Sequence, residues 1–560
     1  MTSSRGETGS ARLLPLAILT FFLIDRILSA GFLLPAFCVE DEAWAVDGAL
    51  HMLRGLTLDP GTHKYPGLIF SLGAAVYAGL YLVDNFLALF HFESGESLIW
   101  HLGHYSFGFE REVIAGRMLS AITGLFALVL FFQLVRREYG PGRAAAAVFL
   151  TATAPAFLFA TGVFKNDPLL IAGVMLVLLA SRRLLDRGRS GDYALGGLAL
   201  GFCLAAKYHL PAAVPLLLAH RLRCPNDGFF RSFARPRWLL IPASGFIGFF
   251  ALSPMTFLDL GGAVRQAGLE WALQNNLNPL LHRSPEYWWH APGLFVILAA
   301  LPLALGIPLW GLAGAGFIST RPWRPTPVSA SRTVVWSYPV AFLLFMAASS
   351  KLAFPHLFAP AAPFASLLAA GFLEPWLGSP AGVRRAAASL LLGACVLHNL
   401  ALYHGTAQAE ERALVDSATY AETIAVPGEV TLAFVPYRPN PEHRGPVKYL
   451  PQFMLSDKTI TDFRPDRILI HHAFFNSYGD NPELLEGSPA AAMALDYLKL
   501  RAGRAGFRET DRFTAAVPTG SLYTRLLPDL AGVYASLYER EPAWREPEPG
   551  SAPSAPTPSR

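Results

Sequence analysis

Charge is scarce in this sequence, and so is cysteine. Only 15% of its 560 residues are Asp, Glu, Lys or Arg, against 53% hydrophobic, whereas soluble domains carry roughly 25% charged residues. That excludes an ordinary soluble protein. Its cysteines, Cys38, Cys203, Cys224 and Cys395, are scattered with no C-x-x-C pair, which argues against a disulfide framework and against a thiolate metal centre. Walker and dinucleotide-binding sequences are missing, so a nucleotide-driven pump is not expected. There is no repeat with a period of roughly 20–50 residues, and no basic stretch interleaved with aromatics. The formal charge of +4 comes from arginines gathered between apolar segments, which reports membrane orientation and not a nucleic-acid partner.

What the chain does have is apolar length. Windows at 13–34, 67–90, 113–135, 144–162, 168–185, 193–220, 238–254, 291–318, 334–348, 352–373 and 386–402 approach the roughly 20 residues needed to cross a bilayer. The expected fold is mainly α, a polytopic membrane protein with about 11–13 transmembrane helices. The window at 193–220 is long enough for two short helices on either side of Lys207-Tyr208-His209. Arg5 and Arg12 precede the first run, which has no small-residue cleavage site before Asp41, so it is read as a retained helix.

Arginines orient the windows. Arg136-Arg137 with Arg143, Arg182-Arg183 with Arg187 and Arg189, the group from Arg221 to Arg237, Arg321 with Arg324 and Arg332, and Arg384-Arg385 mark cytoplasmic loops of a plasma-membrane protein whose N-terminus is inside. Asp41-Glu42, Lys165-Asn166-Asp167, the segment 255–290 and the chain beyond about 403 then lie outside. For Asp41 and Asp167 to share a side, the run 67–90 reads as an interfacial helix within a first outer loop, 38–112, that belongs to a membrane domain of residues 1–402. Beyond it a small extracytoplasmic α/β domain is expected over 403–540, with a polar helix at 410–423, strands at 430–435 and 467–472, and a helix at 489–500. Residues 541–560, rich in Pro, Ser and Glu, read as a disordered tail.

Carboxylates beside a lipid bilayer are costly and usually functional. Glu40-Asp41-Glu42 stands at an expected helix start, where an acid can also cap backbone amides. Three consecutive acids exceed what capping needs, and their repulsion is expected to raise at least one pKa towards a base's range. Lys64, in His63-Lys64-Tyr65-Pro66, either snorkels to the interface or neutralises a phosphate. The tight turn Lys165-Asn166-Asp167-Pro168 supplies a helix cap, or points Asn166 and Asp167 over the bundle mouth towards Asp41. Lys351 opens a proline-rich helix containing His356, a device that lines cavities. Lys351, Arg26, Lys207 and Arg265 are further cationic candidates for an anionic lipid headgroup. Tyr287-Trp288-Trp289 is an aromatic belt or a sugar-stacking platform. His63, Tyr65, Asn166, His356 and Trp288 complete the candidates for acceptor or sugar contact. Gly197 and Gly201 have small-xxx-small spacing for helix packing. If Asp41, Glu42 and Asp167 converge they could also chelate a divalent ion.

In order along the chain, Asp41-Glu42, His63-Lys64-Tyr65-Pro66, Arg136-Arg137-Glu138-Tyr139-Gly140, Asn166-Asp167-Pro168, Lys207-Tyr208 and Ser350-Lys351 through Pro363 resemble the motifs of the GT-C superfamily of membrane glycosyltransferases. The resemblance is in particular to the family that includes protein O-mannosyltransferases and lipid A aminoarabinose transferases. It covers about the first 400 residues. Tyr65 stands where that family often has proline, and Lys165-Asn166 where it usually has arginine. The resemblance implies transfer of a sugar from a polyprenyl-phosphate carrier to a hydroxyl acceptor on the outer face, with no required cofactor. It also implies Asp41 as catalytic base, Asp167 and Glu42 as supporting acids, and Lys64 on the carrier phosphate. The competing expectation is a transporter or flippase of lipid-linked saccharides, in which the same carboxylates relay protons.

Overall fold

Apolar runs and the prolines and glycines that interrupt them set the helices of the first part of the chain. The structure, a computed structural model, describes residues 10–34, 37–91, 109–276, 292–320, 330–349, 355–426, 428–435, 438–439, 445–451, 455–471, 499–500, 506–514 and 533–541. The longer helices are α1 (Ser10–Leu28), α2 (Glu40–Gly55), α3 (Leu68–His91), α4 (Phe109–Tyr139), α5 (Pro141–Ala152), α6 (Pro155–Gly162), α7 (Asp167–Arg187) and α8 (Ser190–Ala206). They continue as α9 (Val214–Arg223), α10 (Leu240–Leu252), α11 (Leu260–Asn276), α12 (Ile307–Thr320), α13 (Ala330–Ser349), α14 (Ala362–Leu377) and α15 (Gly382–Ile424). The described residues are mainly helical, with a small sheet-containing C-terminal part. It divides into two units, Met1–Ala407 with Pro518–Leu526, and Gln408–Val517 with Leu527–Arg560.

Among the described residues, five helices are long and apolar enough to cross a membrane: Glu110–Tyr139, Asp167–Arg187, Ala330–Ala348, His356–Leu377 and Gly382–Gln408. The window at 144–162 is not one straight rod. Pro155 starts α6 without an amide hydrogen to continue α5, and the pair bends by 64°. Likewise the window at 193–220 breaks at Lys207, whose backbone is extended at φ −158°, before α9 begins. The run 67–90 forms a single helix, α3, with Leu68, Ile69, Phe70 and Tyr77 buried against α2 and α4.

Close packing follows the small residues. A Cβ on Gly197 would collide with Ser244 and the Ile241 carbonyl, and one on Gly201 with backbone of Gly245 and Phe249, so α8 and α10 touch backbone to backbone. Ser244 Oγ donates to the Ala194 carbonyl across this seam at 2.9 Å, as expected of a small-xxx-small contact.

The second unit holds a five-stranded sheet of β1 (Thr431–Val435), β2 (Val447–Pro451), β3 (Arg467–His471), β4 (Phe507–Thr514) and β5 (Val533–Arg540), in the order β2-β1-β3-β5-β4. β1 runs parallel to β2 and β3, with Thr431 opposite Val447 and Arg467, while β5 is antiparallel to β3 and β4. Alternation sends Leu432, Phe434, Ile468, Ile470 and Tyr538 to one buried face and Ala433, Leu469, Ala535 and Leu537 to the other. The strands expected at 430–435 and 467–472 match β1 and β3. The polar helix expected at 410–423 is not separate, because α15 runs unbroken from Gly382 to Ile424. The helix expected at 489–500 lies almost wholly outside the described residues, and so does the tail from 542.

Candidate active site

Asp41 and Glu42, in the first turn of α2, part company. Val39 precedes that helix and no side chain caps it, so the carboxylates are free to reach other elements, contrary to the capping alternative. Glu42 turns inward, where Arg117 of α4 grips it through two bonds of 2.8 Å and the Phe164 amide donates at 2.9 Å. Both partners of this ion pair are fully buried. Arg117 also donates to the carbonyls of Ala30 and Phe32 at 2.7 Å, which ties α4 to the α1–α2 connection. Phe164 lies so close to Gly73 of α3 and Gly116 of α4 that neither position has room for a Cβ. The entry to α2 and the turn before α7 are thereby held against one another.

Asp41 faces the other way, into a row of ammonium groups. Lys64 Nζ bonds Asp41 Oδ1 at 2.9 Å and Lys165 Nζ bonds Oδ2 at 2.6 Å. Lys64 also lies over the rings of Trp44 and Tyr65, at 5.3 and 5.8 Å, while Lys165 lies over Phe159 at 5.7 Å. Asp167 opens α7 and takes Lys207 Nζ on Oδ1 at 2.8 Å; its neighbour Asn166 donates to the Ala206 carbonyl at 3.0 Å. Among the described residues, Asp167 Oδ2 and Asn166 Oδ1 are buried without a hydrogen-bond partner. His356 stacks on Phe159 with ring centroids 5.6 Å apart and interacts electrostatically with Lys165, Asp167, Lys207 and Asp41. Five chain segments therefore meet at one place.

The electrostatics reverse the expected repulsion between acids. Burial pushes the Asp41 carboxyl up, but Lys165 and Lys64 outweigh it and hold it well below the ordinary carboxylate range. Burial likewise disfavours the Lys165 cation, yet Asp41 and Asp167 raise it above its usual value. Among the described residues, three ammonium groups, Lys64, Lys165 and Lys207, face two carboxylates, Asp41 and Asp167, a surplus of one positive charge in a partly desolvated place. Such a surplus suits an anion. It does not suit a divalent cation: the three acids do not converge on one point, both oxygens of Asp41 are bonded to ammonium groups, and among the described residues no group of three His, Cys, Asp or Glu is placed to hold a metal.

Residues 97–232 match the family described as Dolichyl-phosphate-mannose-protein mannosyltransferase, a stretch that carries Arg117, Lys165, Asp167 and Lys207. Over those residues the match agrees with the resemblance read from the sequence. Among solved structures, ArnT from Cupriavidus metallidurans bound to undecaprenyl phosphate is 13% identical over 97% of this chain and 100% of that one, at a TM-score of 0.45. The Archaeoglobus fulgidus oligosaccharyltransferase tethered with an acceptor peptide is 11% identical over 94% and 88%, at 0.47. No curated protein matches the chain.

Of the GT-C motif residues read from the sequence, Asp41, Lys64, Asp167, Lys207 and His356 come together, with Tyr65 and Asn166 beside them. His63 points instead to Asp259, 2.8 Å away. Arg26 belongs to a different network. It is bonded to Asp25, to the Leu158 carbonyl at 2.6 Å and to the Tyr403 hydroxyl at 3.3 Å, and Asp25 in turn meets His404 at 2.9 Å. Arg26 is thus engaged apart from the groups around Asp41. Lys351 and Trp288 lie outside the described residues. Three participants escape sequence reasoning. Lys165 reads only as part of a turn, Arg117 is hidden within an apolar helix, and Phe159 carries no signal that separates it from other core phenylalanines.

Proposed function

We propose that this protein transfers a sugar from a polyprenyl-phosphate carrier to a hydroxyl acceptor at the outer face of the membrane, with Asp41 as general base. The observation that carries this reading is the convergence of Lys64, Lys165 and Lys207 around Asp41 and Asp167 with one positive charge in excess. In the reaction the acceptor O–H gives its proton to Asp41, and the acceptor oxygen attacks the anomeric carbon. The bond from that carbon to the phosphate oxygen breaks, and its electron pair leaves on the carrier phosphate. The phosphate gains charge as it departs, so fixed ammonium groups stabilise the transition state more than the ground state. His356 on Phe159, and Trp44 and Tyr65 around Lys64, supply flat surfaces for a sugar ring. No nucleotide or redox group is needed for these steps.

Placement along the helices supports an outer location. α7 carries Asp167 at one end and Arg182, Arg183 and Arg187 at the other, about 30 Å apart at the α-helical rise. α4 carries Arg117 in its first part and Arg136-Arg137 in its last turn. By the positive-inside rule the arginine-rich ends belong inside, which supports an outer site.

The test is product formation by the purified protein in liposomes with polyprenyl-phosphate sugars. The expected result is a glycosylated acceptor together with released polyprenyl phosphate. Proton-coupled movement of the lipid-linked sugar with no product would contradict it and favour transport.

A further inference from the structure

A general base needs proton affinity, and Asp41 has little while an ammonium group is bonded to each of its oxygens, Lys64 to Oδ1 and Lys165 to Oδ2. We propose that the donor phosphate itself unmasks the base, by drawing Lys64 off Asp41 while Lys165 moves across to Asp167, so that acceptor deprotonation waits for donor binding. This rests on the transferase reading above and adds the order of events within the same site.

Two features make the exchange feasible. Lys64 is a compact charge on a flexible stem, 19% exposed, and it leans on the faces of Trp44 and Tyr65, along which it can swing without losing apolar contact. Lys165 is 3% exposed and has no such freedom towards solvent, but a second acceptor stands within its electrostatic reach. Asp167 already interacts with Lys165, and among the described residues its Oδ2 is buried without a hydrogen-bond partner. A buried carboxylate oxygen left bare is costly, and here it offers the displaced ammonium a place to go. Lys207 holds the other oxygen, Oδ1, so Asp167 can accept Lys165 without releasing it. Until the phosphate arrives, both oxygens of Asp41 stay paired with ammonium groups.

The inference makes the two aspartates unequal towards a phosphate ligand. Asp41 competes with the phosphate for lysine, whereas Asp167 receives the lysine that the phosphate displaces. Binding of undecaprenyl phosphate is measured on the full-length protein in nanodiscs for wild type, Asp41→Asn and Asp167→Asn, with Asp41→Ser as a second neutral variant and monodispersity as the check on folding. The expected result is binding roughly tenfold tighter than wild type in Asp41→Asn and Asp41→Ser, and no tighter in Asp167→Asn. Equal tightening in both aspartate variants would show a general charge effect and overturn the inference. Unchanged or weaker binding on loss of Asp41 would also overturn it, leaving the transferase reading intact. No binding in any protein, wild type included, would overturn the donor reading and the inference together.

Discussion

Two neighbouring residues, Asp41 and Glu42, show how environment divides one chemistry into two tasks. Glu42 is sealed against Arg117, so removing either partner strands a charge where water cannot reach it. Glu42→Ala is therefore expected to cost about 3–5 kcal/mol, read as a fall in melting temperature, whereas an exposed carboxylate such as Asp416 changed to Ala should leave it unmoved. Asp41 keeps a side chain that is 30% exposed, and its linkage to pH has a definite sign. Its folded value lies well below the ordinary 3.8, so its ion pairs stabilise the fold above that ordinary value and the contribution disappears as pH falls through the folded value. Melting of wild type against Asp41→Asn should differ by the same amount at pH 7 and pH 5 and converge only below about pH 4. Convergence between pH 7 and pH 5 would contradict the geometry. The sequence exposes the acids, because charge near lipid stands out. It does not show which ammonium groups meet them, since Lys64, Lys165 and Lys207 come from three separate connections, and the repulsion expected between adjacent acids loses to those three cations.

Among the elements, α8 and α10 show what sequence spacing does convey. Gly197 and Gly201 are one turn apart, and the structure puts α10 backbone directly on them. Gly201→Val is expected to destabilise by about 1–3 kcal/mol or more, since the collision is with backbone and not with a flexible side chain; thermal unfolding measures it. The break between α5 and α6 does not show in the single apolar window 144–162, although Pro155 removes a donor there. The unbroken α15 is not legible. Its apolar first part and polar last part read as separate helices, but no proline or glycine stands between Leu402 and Ile424 other than Gly405, and helix geometry tolerates a change of polarity that a hydropathy window treats as an end. In the C-terminal part, β1 and β3 are apolar runs and stand out in the sequence. β4, with Arg508, Glu509, Asp511 and Arg512 in its length, is an edge strand whose charges hide the period of two.

Over the whole molecule, the account depends on which end of the bundle faces out. Single cysteines are introduced at Asp59 and at Ser190 after replacement of the native ones, of which Cys203, Cys224 and Cys395 are buried and free. They should label with an impermeant maleimide from opposite sides of sealed vesicles, Asp59 from outside. Labelling of both from one side would remove the basis for an outer site. The fold class is legible in composition and apolar length, and the candidate carboxylates in charges that such a composition makes rare. The chemistry rests on geometry that only the folded chain supplies, namely carboxylate and ammonium groups alternating with one cation to spare. The most direct test is the turnover of Asp41→Asn in liposomes with a polyprenyl-phosphate sugar and a hydroxyl acceptor. A fall on the order of a hundredfold or more, in protein that remains folded and monodisperse, is predicted, and turnover at the wild-type rate would contradict the account.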